Sequence, residues 1–344
     1  MQFSLKPLSQ QTIVITGATS GIGLCTARMA AKRGANVVAV ARNEAALCEL
    51  VDEINDSGGR ATYAVADVAD EEALKRAAEI AVERFGGIDT WVNNAGASIY
   101  GRIMDVRTED LRRLFETNLW GVVHGSRIAV EHLRERGGAL INVGSETSDA
   151  AVPLQGMYSA SKHAVKGFTD ALRMEVEADK LPISLTLIKP TAIHTPFPEN
   201  ARNYLSYEPQ LPAPLYAPEL VAEAILHCAE NPTRDFFVGG MAKVHSSMAL
   251  NTPRLHEKMN ESMIDRLQNS GEPAAVKRTD GLYDTNSRLA ERGAQDRHVL
   301  EHSLYQRAKL HPALTATIAV AGGVALAAWL GSKVTANSAT LNAS

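Results

Sequence analysis

The sequence predicts an α/β fold, a doubly wound parallel sheet of about seven strands with a helical C-terminal extension. Three observations predict it. Short apolar runs rich in β-branched residues alternate with stretches of helical periodicity. A glycine-rich turn joins the first run to the first helical stretch. Small, amide and charged residues then collect at the carboxyl ends of the runs, where ligands bind in sheets of this kind.

Residues 12–16 (Thr-Ile-Val-Ile-Thr) read as a buried parallel strand. They lead into Gly17-Ala18-Thr19-Ser20-Gly21-Ile22-Gly23 and then into a helical pattern over 24–32. Glycines allow a tight turn and a close approach to a pyrophosphate, which a helix N-terminus stabilises. The spacing is G-x-x-x-G-x-G rather than the commoner G-x-G-x-x-G, and a purely structural turn would use the same residues. The flanking strand and helix favour a nucleotide and a Rossmann-type arrangement.

Residues 36–41 form the second expected strand. An acid at its end would accept from an adenosine ribose hydroxyl; here Ala41 is followed by Arg42 and Asn43. An arginine fork suits a 2'-phosphate, so NADP(H) is the expected cofactor and NAD(H) the alternative. A solvated arginine at a helix start is the competing explanation of Arg42. Further strands are expected at 62–66, 88–93, 139–143, 183–188 and 235–239. Helical patterns lie between them, including one through Leu111, Leu114, Asn118, Val122 and Val123, one over 155–178 and one over 218–229. The strand ends carry Asp67-Val68, Asn93-Asn94-Ala95-Gly96, Gly144-Ser145 and Lys189-Pro190.

Tyr158 and Lys162 sit four apart and so share one helix face. A cation at that spacing favours the phenolate and should lower the tyrosine pKa from about 10, which would suit proton exchange near neutral pH. A surface pair has the same spacing, and only the rest of the chain separates the two.

Thr16-Gly17-xxx-Gly21-Ile22-Gly23, Asn93-Asn94-Ala95-Gly96, Asn118, Ser145 and Tyr158-xxx-Lys162 follow one another in that order. In this the sequence closely resembles the short-chain dehydrogenase/reductase (SDR) family over residues 8–240. The resemblance implies that Tyr158 is the general acid in reduction and the base in oxidation. It implies that Lys162 lowers the tyrosine pKa and holds the nicotinamide ribose, that Ser145 hydrogen-bonds the substrate oxygen, and that Asn118 keeps a water in a proton relay. The glycine turn (Gly17, Thr19, Ser20, Gly21, Ile22, Gly23) would hold the pyrophosphate, with Asp67 and Val68 at the adenine and Asn94, Ala95 and Gly96 beside the ribose. Pro190, Ile193 and Thr195 would pass the nicotinamide amide. Homodimers or homotetramers through the helices around 107–135 and 155–178 are also implied. Two departures stand out: Thr191 follows Pro190 where the family often has glycine, and Ser20 occupies a turn position often basic in NADP-preferring members.

Two hydroxyls aimed at a carbonyl oxygen would stabilise the charge that hydride transfer builds there. The expected function is therefore NAD(P)(H)-dependent hydride transfer between a nicotinamide and a carbonyl or secondary alcohol. A nucleotide-binding sensor or scaffold that keeps the fold is the alternative. Residues 195–218 carry Phe197, Tyr204, Tyr207, Tyr216 and six prolines; the resemblance places the substrate loop here, so an aromatic loop over a hydrophobic substrate is expected, with a loop packed on the surface for its own sake as the alternative. His194 reads as a loop histidine.

The formal charge of −4 gives no case for nucleic acid. Three scattered cysteines, Cys25, Cys48 and Cys228, suggest a reducing compartment and no metal site. Residues 241–312 are charged and poor in large apolar residues, and read as a helical, partly disordered linker. Residues 313–330 carry no charge and suffice in length to span a bilayer, with Arg307 and Lys309 before them. A cytoplasmic catalytic domain anchored to a membrane by this segment is the resulting expectation, with an Ala-rich docking helix as the alternative.

Overall fold

The computed structural model describes residues 4–275, 279–285 and 289–310. Seven strands form one sheet: β1 (Thr12–Thr16), β2 (Asn36–Ala41), β3 (Arg60–Val65), β4 (Thr90–Asn93), β5 (Gly138–Val143), β6 (Ile183–Pro190) and β7 (Asp235–Val238). Their spatial order is β3-β2-β1-β4-β5-β6-β7, and every pairing is parallel. All residues of β1, β5 and β6 are buried, as expected of strands covered by helices on both faces. The winding reverses between β1 and β4, and the crevice outside that switch point is where such sheets take ligands.

On the two faces lie α1 (Gly21–Lys32), α2 (Glu44–Asp56), α3 (Glu71–Phe85), α4 (Thr108–Phe115), α5 (Gly121–Leu133) and α6 (Gly156–Ala178). Asn43 and Asp70 cap α2 and α3 by accepting from the amides of Ala46 and Ala73. The sequence reading passed over α2, although Leu47, Leu50, Val51 and Ile54 give it a buried face. The single helical stretch expected around Asn118 is split by one π-helical turn, Glu116–Trp120. Such turns are rare and often fall at functional sites, and this one contains the buried Asn118. Strand ends shift by up to two residues from expectation; β6, for example, runs on to Pro190.

Beyond β6 follow α7 (Phe197–Asn200), α8 (Pro218–Glu230), α9 (Gly240–Asn251) and α10 (Pro253–Leu267). Residues up to His302 fall in one compact unit, and the described residues of 241–302 include helices and short strands. Asn269–Pro273 pairs with Tyr207–Pro209, and Val299–Leu300 with Leu215–Tyr216. The composition misleads because this segment is fixed mainly by hydrogen bonds and ion pairs, not by apolar area. A second unit begins at Ser303 and includes the short helix Leu304–Leu310. Residues 313–330, the expected membrane segment, lie outside the described residues. Among the described residues no helix is long and apolar enough to cross a membrane.

Candidate active site

A cavity of about 320 Å³ runs along the carboxyl ends of the strands from the glycine turn to α6. It begins where β1 turns into α1. Gly17 has φ +68°, and a Cβ there would lie 2.9 Å from the Ala95 Cα. The exit of β4 is stitched to the same turn: the amides of Asn94 and Ala95 both donate to Thr16 Oγ1 at 3.0 Å, and Asn94 Nδ2 donates to the Thr16 carbonyl at 2.9 Å. The result is a glycine-lined cradle at the N-terminus of α1, which fits a diphosphate. Thr195 packs against it, its Cβ 3.1 Å from where a Cβ on Gly21 would stand.

Of the sequence-predicted residues, Thr19, Ser20, Ile22, Arg42, Asp67, Val68, Gly96, Pro190 and Ile193 all line this cavity, with Ser145, Tyr158 and Lys162 at its other end. Gly23 and Asn118 stand behind the wall. Arg42 departs from expectation. Its guanidinium is not an open fork but donates to the carbonyls of Gly281 and Asp284 at 2.7 Å, and of Leu282 and Tyr283 at 3.5 Å. Asp67 pairs with Arg113, whose Nε donates to the Leu282 carbonyl at 3.0 Å.

Ser145 ends β5 and caps the short turn Glu146–Ser148. Its Oγ accepts from the Thr147 amide at 3.1 Å, which leaves its own proton to donate elsewhere. Tyr158 and Lys162 lie one turn apart on α6, both buried. The Lys162 ammonium donates to the Val143 carbonyl at 2.9 Å and stands 5.8 Å from the centroid of the Tyr158 ring. Asn118 is fully engaged: Oδ1 accepts from the Ala97 amide at 2.8 Å, and Nδ2 donates to the Ala97 carbonyl and Ser161 Oγ at 3.0 Å. It braces the chain leaving Gly96 against α6.

The electrostatics correct one expectation. The Tyr158 phenol is not lowered but pushed up to about 12, chiefly by burial. The charge of Glu146 raises it too, while the polar side chains of Ser145 and Thr147 oppose the rise. Lys162 is itself brought down to about 8 by burial. Removal of both groups from water outweighs the benefit of their spacing.

Several cavity residues had no sequence signal. Glu146 Oε2 accepts from Thr191 Oγ1 at 2.9 Å and lies 3.0 Å from His245 Nδ1. Ser246 Oγ donates to Asp149 at 2.6 Å, so α9 is tied to the turn after Ser145 across about a hundred residues of sequence. The lining also includes Val152, Phe197, Leu211 and Pro212, with Ser98, Gln155 and Gln268. Phe197 meets the Tyr158 ring edge-on, 5.5 Å between centroids. The other aromatics of the loop serve the fold instead: Tyr204 donates to Asp110, and Tyr207 and Tyr216 belong to the small strand pairs. His194 meets the Gln295 carbonyl at 3.0 Å and is a loop residue.

Comparison with known proteins agrees with this architecture. The family model described as short chain dehydrogenase matches residues 11–205. The uncharacterized oxidoreductase YxnA of Bacillus subtilis is 46% identical over 330 residues, which cover 95% of this chain and 92% of that protein. Ketoacyl reductase HetN of a Nostoc species is 28% identical over 87% of this chain and 99% of its own. A short-chain dehydrogenase/reductase from Burkholderia phymatum, solved in complex with NAD, superposes with a TM-score of 0.63 at 22% identity, over 80% of this chain and 100% of that one. Parallel sheet, glycine cradle, and the ordered Ser145, Tyr158 and Lys162 thus meet in one chain whose match spans more than half its length: it belongs to the short-chain dehydrogenase family, and is an oxidoreductase of that family.

Proposed function

We propose that the protein transfers hydride between NADP(H) and a carbonyl or secondary alcohol carried on an apolar molecule. One observation carries this reading: a single cavity joins the glycine cradle to Ser145, Tyr158 and Lys162. A nicotinamide bound there supplies or takes the hydride. The side chains do the rest. In reduction, Ser145 and Tyr158 donate to the substrate oxygen, and the Tyr158 proton passes to it as charge develops. The high phenol pKa keeps Tyr158 protonated at neutral pH, the form that reduction needs. The Lys162 ammonium supplies positive charge behind the ring, and the apolar walls Val152, Phe197 and Leu211 exclude water from the substrate end.

The pH dependence follows from these two groups. Tyr158, at about 12, stays protonated across the working range, whereas Lys162 loses its proton above about pH 8. For reduction, kcat/KM is therefore expected to be level up to about pH 8 and to fall above it, and a Lys162→Met variant should lack that limb. A profile still level at pH 10 in the unmodified protein would exclude this role for Lys162.

NADP(H) is supported by the missing acid at the end of β2 and by the retained charge of Arg42, despite its engagement with residues 281–284. The test is turnover of apolar ketones and aldehydes with each cofactor, alongside binding of NADPH and NADH. NADPH should bind about tenfold more tightly, and Arg42→Ala should bring the ratio of the two close to one. The ratio is the informative quantity, because Arg42→Ala also releases residues 281–284. Equal binding of both cofactors by the intact chain would end the 2'-phosphate argument, and no oxidation of either with any carbonyl would end the proposed activity.

A further inference from the structure

Residues 280–285 lie beyond the part of the chain that the family model matches, yet they reach the cofactor cavity: Gly281 and Thr285 stand in its wall beside Arg42, Asn43 and Asp67. We propose that this segment is a strap belonging to the nucleotide site itself, which covers the adenosine half of the bound dinucleotide and slows its release. The proposal deepens the nucleotide reading above and rests on it.

The carbonyls of four successive residues, 281 to 284, converge on the Arg42 guanidinium at the end of β2. Arg113 of α4 donates to one of the same carbonyls while pairing with Asp67. Asn43 Nδ2 donates to Thr285 Oγ1 at 3.2 Å. The strap is therefore attached to the side chains that border the adenosine end rather than to a remote surface. Two further points fix it from the side of α4. Leu282 is fully buried in a cluster with Ile99, Leu114 and Tyr158. The Tyr283 hydroxyl donates to the buried carboxylate of Asp110 at 2.9 Å. On the other side of the cradle the Ala290 carbonyl accepts from the Gly21 amide at 2.8 Å, so the extension touches the diphosphate turn as well.

This arrangement has a kinetic consequence. A dinucleotide extending from Gly17 to Arg42 lies beneath the strap, and its adenosine half leaves only when those contacts open. They are mainly hydrogen bonds to neutral backbone carbonyls, which break and re-form readily; Leu282 is the apolar peg that favours the closed form. The strap thus acts on the dissociation rate of the cofactor more than on its capture.

The full chain, a Leu282→Ala variant and a Tyr283→Phe variant are loaded with NADPH and chased with excess NADP+, and the loss of bound NADPH fluorescence is followed by stopped flow. Leu282→Ala should raise the NADPH dissociation rate about tenfold, and Tyr283→Phe, which removes only the hydroxyl to Asp110, by a smaller factor. Amide exchange over 280–285 should slow when NADPH is added to the full chain. Equal dissociation rates in all three proteins, or exchange over 280–285 that NADPH leaves unchanged, overturns the strap while leaving the oxidoreductase reading intact. Should Leu282→Ala fail to fold, the Tyr283→Phe rate and the exchange measurement decide. Failure of the full chain to bind either NADPH or NADH overturns the nucleotide reading, and the strap with it.

Discussion

A Tyr158→Phe variant is expected to lose carbonyl reduction by about 10³-fold or more while still binding NADPH. The substitution removes one hydroxyl and keeps the ring. The ring packs edge-on against Phe197 and sits among Ala97, Ile99, Leu114 and Leu282, and phenylalanine retains all of this. In the proposed mechanism the hydroxyl both donates to the substrate oxygen and hands it a proton, whereas Ser145 Oγ, which accepts the Thr147 amide, can donate without becoming an acid of useful strength. Stability should change by only about 1 kcal/mol, the usual worth of a buried hydroxyl's hydrogen bonds. Single-turnover reduction and NADPH titration on the same preparation measure both effects. Turnover equal to that of the unmodified protein would remove Tyr158 from the proton-transfer role. Loss of NADPH binding together with turnover would instead point to a damaged fold.

The parts of this site that could be read from the chain are those whose physics is local. A β-branched run followed by glycines and a helical pattern has few other folded outcomes, and β1, Gly17, Gly21 and α1 stand where that pattern puts them. Asn94, Ser145 and Pro190 were legible for a related reason, because strand ends in a parallel sheet converge on one crevice. What was not legible depends on residues far apart in sequence. The engagement of Arg42 was not legible beside its reading as a phosphate fork or a solvated arginine, because its acceptors come from about 240 residues away. The phenol of Tyr158 was expected to fall because spacing reports the nearby lysine and says nothing of burial, which proved the larger effect. The attachment of the extension was hard to read for a third reason. Its low apolar content predicts weak packing, but a strap with one buried leucine and carbonyls facing arginines needs little apolar area to be held.

The second large effect is expected at Gly23, and it tests the cradle without touching the proton chemistry. On backbone grounds alone Gly23→Ala should help, because alanine favours a helix over glycine by about 1 kcal/mol. Packing opposes this. A Cβ at Gly23 would lie 2.1 Å from the Gly17 carbonyl oxygen and 2.5 Å from Asn94 Nδ2. The first obstacle is backbone, and the second is the amide that ties the β4 exit to Thr16, so neither can swing aside as a flexible side-chain end would. Either the Gly17 turn or the start of α1 must move, and both form the cradle. Overpacking of this kind typically costs about 1–3 kcal/mol, and a 2.1 Å approach to a backbone oxygen belongs at the upper end, so after the helix gain the net loss should be about 2 kcal/mol, with NADPH affinity falling about a hundredfold as the cradle opens. Gly167→Ala is the matched control. That glycine is exposed on α6 with nothing within 4 Å of its would-be Cβ, and the substitution should stabilise by about 1 kcal/mol and leave NADPH affinity alone. Urea unfolding and NADPH titration of the two variants should therefore move in opposite directions for stability and differ in affinity. If Gly23→Ala unfolds and binds like Gly167→Ala, the close approach of α1 to the Gly17 turn is not what shapes the nucleotide site.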